Sequence, residues 1–310
     1  MSKYEAFNKT TVAFKKVNDH SILTDIFVPI DVPAGPRPVL IYFHGGFLIS
    51  GARNQYEWIG TWVFEYAASH GAILVLPDYR LFPEATGVEI LEDLDDFWTW
   101  LREKLPTILE SIAPSGVTAD FSKVVCCGGS AGGYLSLQFA LDHKDDLSAA
   151  IAVYPVTDIR APHYTQAYEK IMLGQPMRPA SVVEDHLAKM PKDAVVTADV
   201  SPERNDLMFA IIHHGRYLEL MGPQEPRIFI DDRVKAGDKF PPLLVIHTEA
   251  DSGVPFQGTK DLLDITKECQ PELEVKLLTP PGDHGFDSNM HMDDPELADG
   301  LTFITGRWLM

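Results

Sequence analysis

Val124-Val125-Cys126-Cys127-Gly128-Gly129-Ser130-Ala131-Gly132-Gly133-Tyr134 is the stretch of sequence from which the fold can be inferred. It begins with an apolar run typical of a buried strand, and residues 135–141 after it have the composition of a helix. Between the two, Ser130 stands in a Gly-x-Ser-x-Gly pattern. A tight strand-to-helix turn exposes such a serine at the end of its strand and leaves room only for small neighbours. We therefore predict a nucleophile elbow, although these five residues alone also fit a glycine-rich turn with a solvated serine.

Two later strand ends supply the acid and the base that a nucleophilic serine needs. Asp251 follows one predicted strand, and His284 follows the next one. The carboxyl ends of parallel strands meet at one edge of a sheet, so both groups are predicted to lie near Ser130. Asp251 is favoured as the acid over Glu249, which could replace it, and over Asp283, which is too close to the histidine in sequence. The chain order of serine, aspartate and histidine is the order found in α/β-hydrolases.

Backbone donors for a developing oxyanion are predicted at two places. One is the N–H of Ala131, and the other is the pair Gly45-Gly46, which follows an early predicted strand. The glycine pair also fits a simple tight turn. Close to these donors in sequence, Phe47 and Tyr134 are candidates for the walls of a substrate pocket.

Apolar runs alternate with helix-like segments along most of the chain. This pattern predicts an α/β fold with a doubly wound, mostly parallel sheet. Strands are predicted at residues 39–43, 72–76, 149–154, 242–247 and 273–278, in addition to the run that starts at Val124. Helices are predicted at residues 56–69, 88–112 with an interruption near Pro106, 135–141, 259–267 and 295–309. Residues 10–28 predict two strands around a turn at 18–20, and residues 29–38 a proline-rich connection.

Residues 157–240 contain helix-like pieces separated by prolines and no clean buried strand. We predict that this segment is a helical lid, inserted into a hydrolase core that consists of residues 1–156 and 241–310. The apolar face of residues 206–221 is a further candidate for the pocket wall.

The adjacent His213 and His214 in the insertion invite a metal interpretation. Neighbouring positions of a helix point about 100° apart, so the two side chains cannot easily chelate one ion. Structural roles are therefore favoured for the pair, and no metal or cofactor is expected.

The composition restricts the class of partner. The 310 residues include 45 acidic and 26 basic side chains, a formal charge of −19, which argues against nucleic acid or an anionic membrane as a partner. We expect a small-molecule ester as the ligand, with a homodimer as a possible assembly. The three cysteines, two of them adjacent, and a polar start without an apolar signal segment favour a cytoplasmic protein.

Taken together, the motifs resemble those of the hormone-sensitive-lipase-like carboxylesterases, the α/β-hydrolase fold-3 family. The resemblance spans about residues 38–308 and rests on His44-Gly45-Gly46, Asp78-Tyr79-Arg80-Leu81-Phe82-Pro83-Glu84, Gly128-Gly129-Ser130-Ala131-Gly132-Gly133, Asp251 and His284-Gly285-Phe286. It implies a serine carboxylic-ester hydrolase whose triad is Ser130, Asp251 and His284. It also implies that Gly45, Gly46 and Ala131 donate to the oxyanion, and that residues 79–84 support the loop of the two glycines. Some fungal enzymes of polyketide and other secondary metabolism resemble this form.

Three departures from the family pattern stand out. Phe47 replaces a third glycine, Gly129 replaces the usual Asp or Glu before the nucleophile, and N-terminal cap helices are not expected, so that the insertion alone would form the lid. The same residues could serve a lactonase, a thioesterase or a polyketide-releasing or cyclising enzyme. A non-catalytic small-molecule receptor is the alternative from another class.

Overall fold

The predicted strands form one eight-stranded sheet in the computed structural model, which describes residues 3–310. The strands, in chain order, are β1 (Phe7–Val17), β2 (His20–Pro29), β3 (Gly35–Phe43), β4 (Ile73–Pro77), β5 (Val117–Gly129), β6 (Ala149–Val153), β7 (Leu243–Ile246) and β8 (Val275–Leu278). Their order across the sheet is β1-β2-β4-β3-β5-β6-β7-β8. The pairs from β4 to β8 are parallel, whereas β1 pairs with β2 and β2 with β4 in antiparallel register.

Ten helices accompany the sheet in the described part of the chain. They are α1 (Thr61–Ser69), α2 (Gly87–Ile112), α3 (Ala131–Asp142), α4 (Pro162–Thr165), α5 (Ser181–Lys189), α6 (Pro202–His213), α7 (Tyr217–Leu220), α8 (Ile230–Ala236), α9 (Phe256–Cys269) and α10 (Pro295–Trp308). Single 3₁₀ turns lie at residues 56–58, 226–228 and 286–289.

The two faces of the sheet are covered by different helices, as in a doubly wound fold. Apolar side chains of α2, α3 and α6 pack into a core on one face, and those of α1 and α10 pack into a second core on the other. The central strands are buried on both faces, which explains why they appear in the sequence as continuous apolar runs rather than alternating ones. The predicted fold class is therefore confirmed.

The prediction of an interruption near Pro106 is wrong, because α2 continues from Gly87 to Ile112. Pro106 lies on the exposed face of the helix. The backbone carbonyl that loses its donor to the proline can therefore be solvated, which lowers the cost of a proline inside a helix. At the start of α2, Thr86 and Glu89 form a capping box, which fixes where the helix begins.

The segment between β6 and β7 is helical, with α4 to α8 and no sheet strand among its described residues. The apolar run at residues 206–221 is divided into α6 and α7 by a turn at Gly215, whose φ is +65°.

Two of the cysteines, Cys126 and Cys127, are buried in β5, and Cys269 is exposed at the end of α9. None of the helices in residues 3–310 has the length and hydropathy needed to cross a membrane.

Candidate active site

Ser130 occupies a sharp turn between β5 and α3. Its backbone has φ +60° and ψ −120°, a conformation that non-glycine residues rarely adopt. A Cβ at Gly132 would lie 2.0 Å from the carbonyl oxygen of Phe43, so only glycine permits this approach between the turn and β3. The N–H of Ser130 donates to the carbonyl of Val153 at 2.9 Å, which ties the turn to the end of β6. The predicted elbow is the conformation that the chain adopts here.

Asp251 and His284 are brought together by the loops that follow β7 and β8. The Nδ1–H of His284 donates to Oδ2 of Asp251 at 2.8 Å. The carboxylate side chain is fully buried, and the imidazole is 10% exposed. This bond fixes the tautomer of the imidazole and leaves Nε2 as its basic nitrogen. Both Ser130 and His284 line the same cavity.

Asp251 accepts further hydrogen bonds besides the one from the imidazole of His284. Its Oδ1 accepts from the backbone N–H groups of Gly253 at 2.8 Å and Val254 at 2.6 Å. Nε2 of the buried His247 lies 3.3 Å from Oδ2. Burial raises the pKa of Asp251, but the hydrogen bonds from His247 and His284 outweigh burial and hold this pKa well below its usual range. The carboxylate is therefore ionised at neutral pH.

The two alternative acids, Glu249 and Asp283, are not the hydrogen-bond partners of the imidazole among the described residues. Glu249 is exposed to solvent. Asp283 accepts from the N–H and the hydroxyl of Ser252, at 2.7 and 2.8 Å, and from the N–H of His284 at 2.7 Å. Asp283 thus joins the two loops that carry the acid and the base.

The backbone N–H groups of Gly45, Gly46 and Ala131, the three predicted oxyanion donors, have no hydrogen-bond acceptor among the described residues. Gly45 is so close to the elbow that a Cβ there would lie 3.3 Å from the Cβ of Ser130. Ala131 is the first residue of α3, where helix N–H groups are free and the helix dipole favours negative charge.

The loop that carries these glycines is fixed from both sides. On the core side, the hydroxyl of Tyr79 donates to the carbonyl of His44 at 2.7 Å. On the insertion side, Arg204 of α6 donates to the carbonyl of Ile49 at 2.5 Å and forms an ion pair with Glu84 at 2.7 Å. Burial raises the pKa of Glu84, but hydrogen bonds from His186 and Arg204 lower it to about 2. The carboxylate therefore stays ionised and keeps the arginine in place.

A cavity of about 560 Å³ opens above Ser130, within the size range of small-molecule sites. Part of its wall is apolar and comes from both the core and the insertion: Phe47, Trp58, Tyr154, Leu173, Met208 and Phe209. The remainder is polar and includes Glu57, Gln175, Arg178, Asn205, Asp206 and Ser288.

Of the two predicted pocket residues, only Phe47 lines this cavity. Its backbone is left-handed, with φ +52°, which explains why the family has glycine at this position. Tyr134 lies outside the lining, and this part of the prediction is corrected. Its buried hydroxyl donates to the carbonyl of Ile228 at 2.9 Å and accepts from Gln138 at 3.0 Å. Tyr134 therefore ties α3 to the insertion.

Gly129 gives space to a tyrosine. A Cβ at position 129 would lie 3.1 Å from the ring of Tyr154, which follows β6. The same ring packs against the imidazole of His284, with 4.4 Å between the centroids. Its hydroxyl donates to Asp287 at 2.5 Å, and this buried carboxylate also accepts from Trp62 at 2.8 Å. The glycine at position 129, which departs from the family pattern, therefore leaves room for Tyr154, whose hydroxyl binds a second buried carboxylate near the imidazole.

Sequence reasoning missed His247, Tyr154, Asp287 and Arg178. For the first two a signal was present, because each stands at the carboxyl end of a predicted strand, where functional side chains concentrate. Asp287 lies in the 3₁₀ turn at residues 286–289 and Arg178 in a loop of the insertion, and neither belongs to a motif, so only the structure places them near the site. The described residues contain no group of three side chains able to hold a metal ion.

The strand order, the elbow and the acid–base pair at one sheet edge define the class of an α/β-hydrolase. A family model for the alpha/beta hydrolase fold matches residues 40–209, and the chain belongs to this family, which confirms the resemblance found in the sequence. Over 315 aligned residues the chain is 30% identical to a probable carboxylesterase M8 of Phoma sp., a match that covers 99% of this chain and 98% of that protein. It is 31% identical to a probable carboxylesterase clz11 of Cochliobolus lunatus, over 62% of this chain and 92% of that protein.

Solved structures agree with the fold. Esterase 2 of Thermogutta terrifontis, determined in a form phosphonylated by sarin, matches with a TM-score of 0.63 at 19% identity. The match covers 97% of this chain and 94% of the esterase.

Proposed function

We propose that the protein is a serine hydrolase that cleaves the carboxylic ester of a small to medium-sized hydrophobic substrate through an acyl-enzyme. One observation carries the proposal: Ser130, on a strained elbow, lines the same cavity as His284, whose Nδ1 is bonded to the buried Asp251. The two fungal relatives named as probable carboxylesterases support the same reaction.

Each step follows from the groups in place. The hydroxyl of Ser130 attacks the ester carbonyl while Nε2 of His284 accepts its proton, and Asp251 stabilises the imidazolium that forms. The N–H groups of Gly45, Gly46 and Ala131 donate to the oxyanion. The imidazolium then gives its proton to the leaving alcohol, and the acyl-enzyme remains. Water attacks the acyl group by the same route, which releases the acid and restores the serine.

The size and lining of the cavity limit the substrate to a compact one. A cavity of about 560 Å³ holds one small molecule, and its aromatic wall favours an aromatic ring or a short acyl chain. We propose that the protein acts in the cytoplasm, where the three cysteines would remain reduced thiols.

The direct test is the intact mass of the protein after incubation with a fluorophosphonate. The wild type is expected to gain one adduct, and Ser130→Ala is expected to gain none while it unfolds at the temperature of the wild type. Ser288→Ala is the matched control, because Ser288 also lines the cavity but is not the proposed nucleophile; it is expected to keep the adduct. An adduct on Ser130→Ala would contradict the assignment of Ser130 as the nucleophile, and no adduct on a folded wild type would contradict the proposal and favour the receptor.

The reaction class is then decided by turnover of matched esters, lactones and thioesters. We expect the highest kcat/KM for the esters, and loss of all turnover in Ser130→Ala. Preference for a lactone or a thioester over the matched ester would leave the roles of the triad intact and change the substrate class.

A further inference from the structure

Arg178 is the only lysine or arginine among the described residues that line the cavity. The chain has a formal charge of −19, and the lining also contains two carboxylates, those of Glu57 and Asp206. The contacts of this single guanidinium therefore decide what it can bind. It lies in the insertion, in the segment between α4 and α5.

The backbone of Arg178 is held by the adjacent histidines at the end of α6. The N–H of Arg178 donates to Nδ1 of His213 at 3.1 Å, and its carbonyl accepts from Nε2 of His214 at 2.8 Å. Burial lowers the pKa of His213 to about 4, so its Nδ1 remains an acceptor at neutral pH. The two histidines therefore bind the N–H and the carbonyl of the same residue. These hydrogen bonds give each of the neighbouring histidines a structural role.

The guanidinium is also held in place. Its Nε donates to Asp206 at 2.6 Å, its Nη2 to the side-chain oxygen of Gln175 at 3.1 Å and its Nη1 to the carbonyl of Pro176 at 3.0 Å. The group lies over the ring of Phe209, 5.5 Å from the centroid. These contacts use three of its five N–H groups, so two N–H groups remain without an acceptor among the described residues. Because the side chain is ordered in advance, a ligand would not have to meet the cost of ordering it.

The ion pair restricts the ligand that these two N–H groups can bind. Asp206 already balances the charge of Arg178, and its side chain is 47% exposed beside the guanidinium. A carboxylate on the substrate would therefore meet the carboxylate of Asp206 as well as the guanidinium. A neutral oxygen meets only the donors, and a hydroxyl could also donate to Asp206. An aromatic ring that carries such an oxygen also matches the aromatic side chains of the lining.

We infer that Arg178 is a specificity-determining residue that hydrogen-bonds a hydroxyl or carbonyl oxygen of a neutral, oxygen-substituted aromatic ester. The inference rests on the proposed function and adds the class of substrate. Arg178 takes no part in the bond changes at Ser130, so the discrimination between substrates is the quantity that should change.

The experiment compares two ester pairs in which a hydroxyl replaces a methyl group of nearly equal size. One pair is the monoacetate of resorcinol and the acetate of m-cresol; the other is the p-nitrophenyl ester of m-hydroxybenzoic acid and that of m-toluic acid. The two pairs place the hydroxyl on the alcohol or on the acyl side. Comparison of one enzyme with another cancels the intrinsic reactivity of each ester. For Arg178→Met, the ratio of kcat/KM for the hydroxylated over the methylated ester is expected to fall about tenfold or more in at least one pair, as for the loss of a hydrogen bond to a charged donor.

Arg160→Met is the matched control. Arg160 also lies in the insertion, binds Asp231 and Asp232 and covers the ring of Phe229 at 4.1 Å, but it does not line the cavity. Its ratio is expected to equal that of the wild type. A ratio in Arg178→Met within about twofold of the wild type for both pairs, with the fold intact, would overturn the inference.

Asp206→Asn provides a second, independent test, which also decides the matter if Arg178→Met does not fold. It removes the charge that balances Arg178, so the acetate of m-hydroxybenzoic acid, which carries a free carboxylate, is expected to improve severalfold relative to the acetate of m-cresol. No improvement would count against the inference. If the wild type turns over both esters of a pair and gains the fluorophosphonate adduct, an unchanged ratio refutes only the role of Arg178 and leaves the proposed function intact. If it hydrolyses none of them and gains no adduct, the proposed function fails and the inference falls with it.

Discussion

Tyr154→Phe tests how much the hydrogen bond from the hydroxyl of Tyr154 to the buried carboxylate of Asp287 contributes to the stability of the fold. Asp287 is 2% exposed, and its two side-chain donors among the described residues are Tyr154 at 2.5 Å and Trp62 at 2.8 Å. Phenylalanine keeps the ring that packs on His284 and removes only the hydroxyl. The substitution therefore isolates the hydrogen bond from the packing.

The expected cost follows from the charge of the acceptor. A hydrogen bond to a charged group contributes about 1.5–3 kcal/mol, and a buried carboxylate that loses one of two donors lies toward the upper end of this range. Burial raises the pKa of Asp287, and the hydrogen bonds from Tyr154 and Trp62 oppose this rise. Removal of the hydroxyl therefore raises the pKa of Asp287 further.

The pH dependence has a definite sign. A carboxyl group whose pKa is higher in the folded than in the unfolded chain lowers stability as the pH rises through the folded-state pKa, because the folded chain then binds more protons than the unfolded one. The loss of free energy of unfolding in Tyr154→Phe is thus expected to be about 2–3 kcal/mol in neutral to mildly alkaline buffer. It should decline toward about 1 kcal/mol, the value of a neutral hydrogen bond, in acid buffer, where Asp287 is protonated.

Urea unfolding over a series of buffers measures this difference. Tyr56→Phe is the matched control, because Tyr56 also donates to a buried carboxylate, Asp25, at 2.9 Å. Asp25 keeps Arg53 at 3.1 Å and Thr11 at 2.6 Å, so a smaller loss of about 0.5–1.5 kcal/mol is expected. Equal losses in the two variants, or a loss in Tyr154→Phe that does not change with pH, would refute the reasoning.

The remaining predictions concern the insertion, the elbow and the acid. Arg204→Met leaves the buried carboxylate of Glu84 without its cation and is expected to cost about 3 kcal/mol of stability in urea unfolding; a cost below about 1 kcal/mol would show that the ion pair is dispensable. Gly129→Asp places a side chain against the ring of Tyr154 and is expected to cost about 1–3 kcal/mol, whereas Gly129→Asp combined with Tyr154→Ala should cost less than the sum of the two single variants. Asp251→Asn is expected to lower kcat about 10⁴-fold with the fold intact, and more than a tenth of wild-type kcat would contradict its assignment as the acid of the triad.

The sheet and the main site elements could be predicted because the same physical constraint produces both. Strands buried on both faces leave continuous apolar runs in the sequence, and their carboxyl ends meet at one edge. Ser130 and Asp251 follow two such runs, and His284 follows the edge strand β8, whose residues are exposed or half-buried. The positions of the three residues after predicted strands are therefore informative about the structure. The assignment of roles to these residues stays a prediction, to be tested by the adduct and by kcat.

The parts that could not be predicted depend on long-range contacts. Pro106 lies inside a helix because its face of the helix is exposed, which the local sequence does not reveal. Tyr134 was predicted at the pocket from its place beside the elbow, but a helix turn directs it to the carbonyl of Ile228 instead. Arg178 has no motif, and its position depends on the two histidines more than thirty residues away in sequence.

The insertion contacts the loop of the proposed oxyanion donors and also contributes to the wall of the cavity. Arg204 of α6 donates to the carbonyl of Ile49, and the hydroxyl of Ser50 donates to Asn205 at 2.7 Å, so the loop that follows the Gly45-Gly46 pair is bonded directly to α6. Phe47 and Leu48 in this loop both have left-handed backbones, which cost free energy and persist only where the surroundings determine them. If the proposed roles of Gly45 and Gly46 hold, a change in α6 that releases these contacts should move the proposed oxyanion donors and lower kcat, although no residue of α6 is proposed to supply a reacting atom.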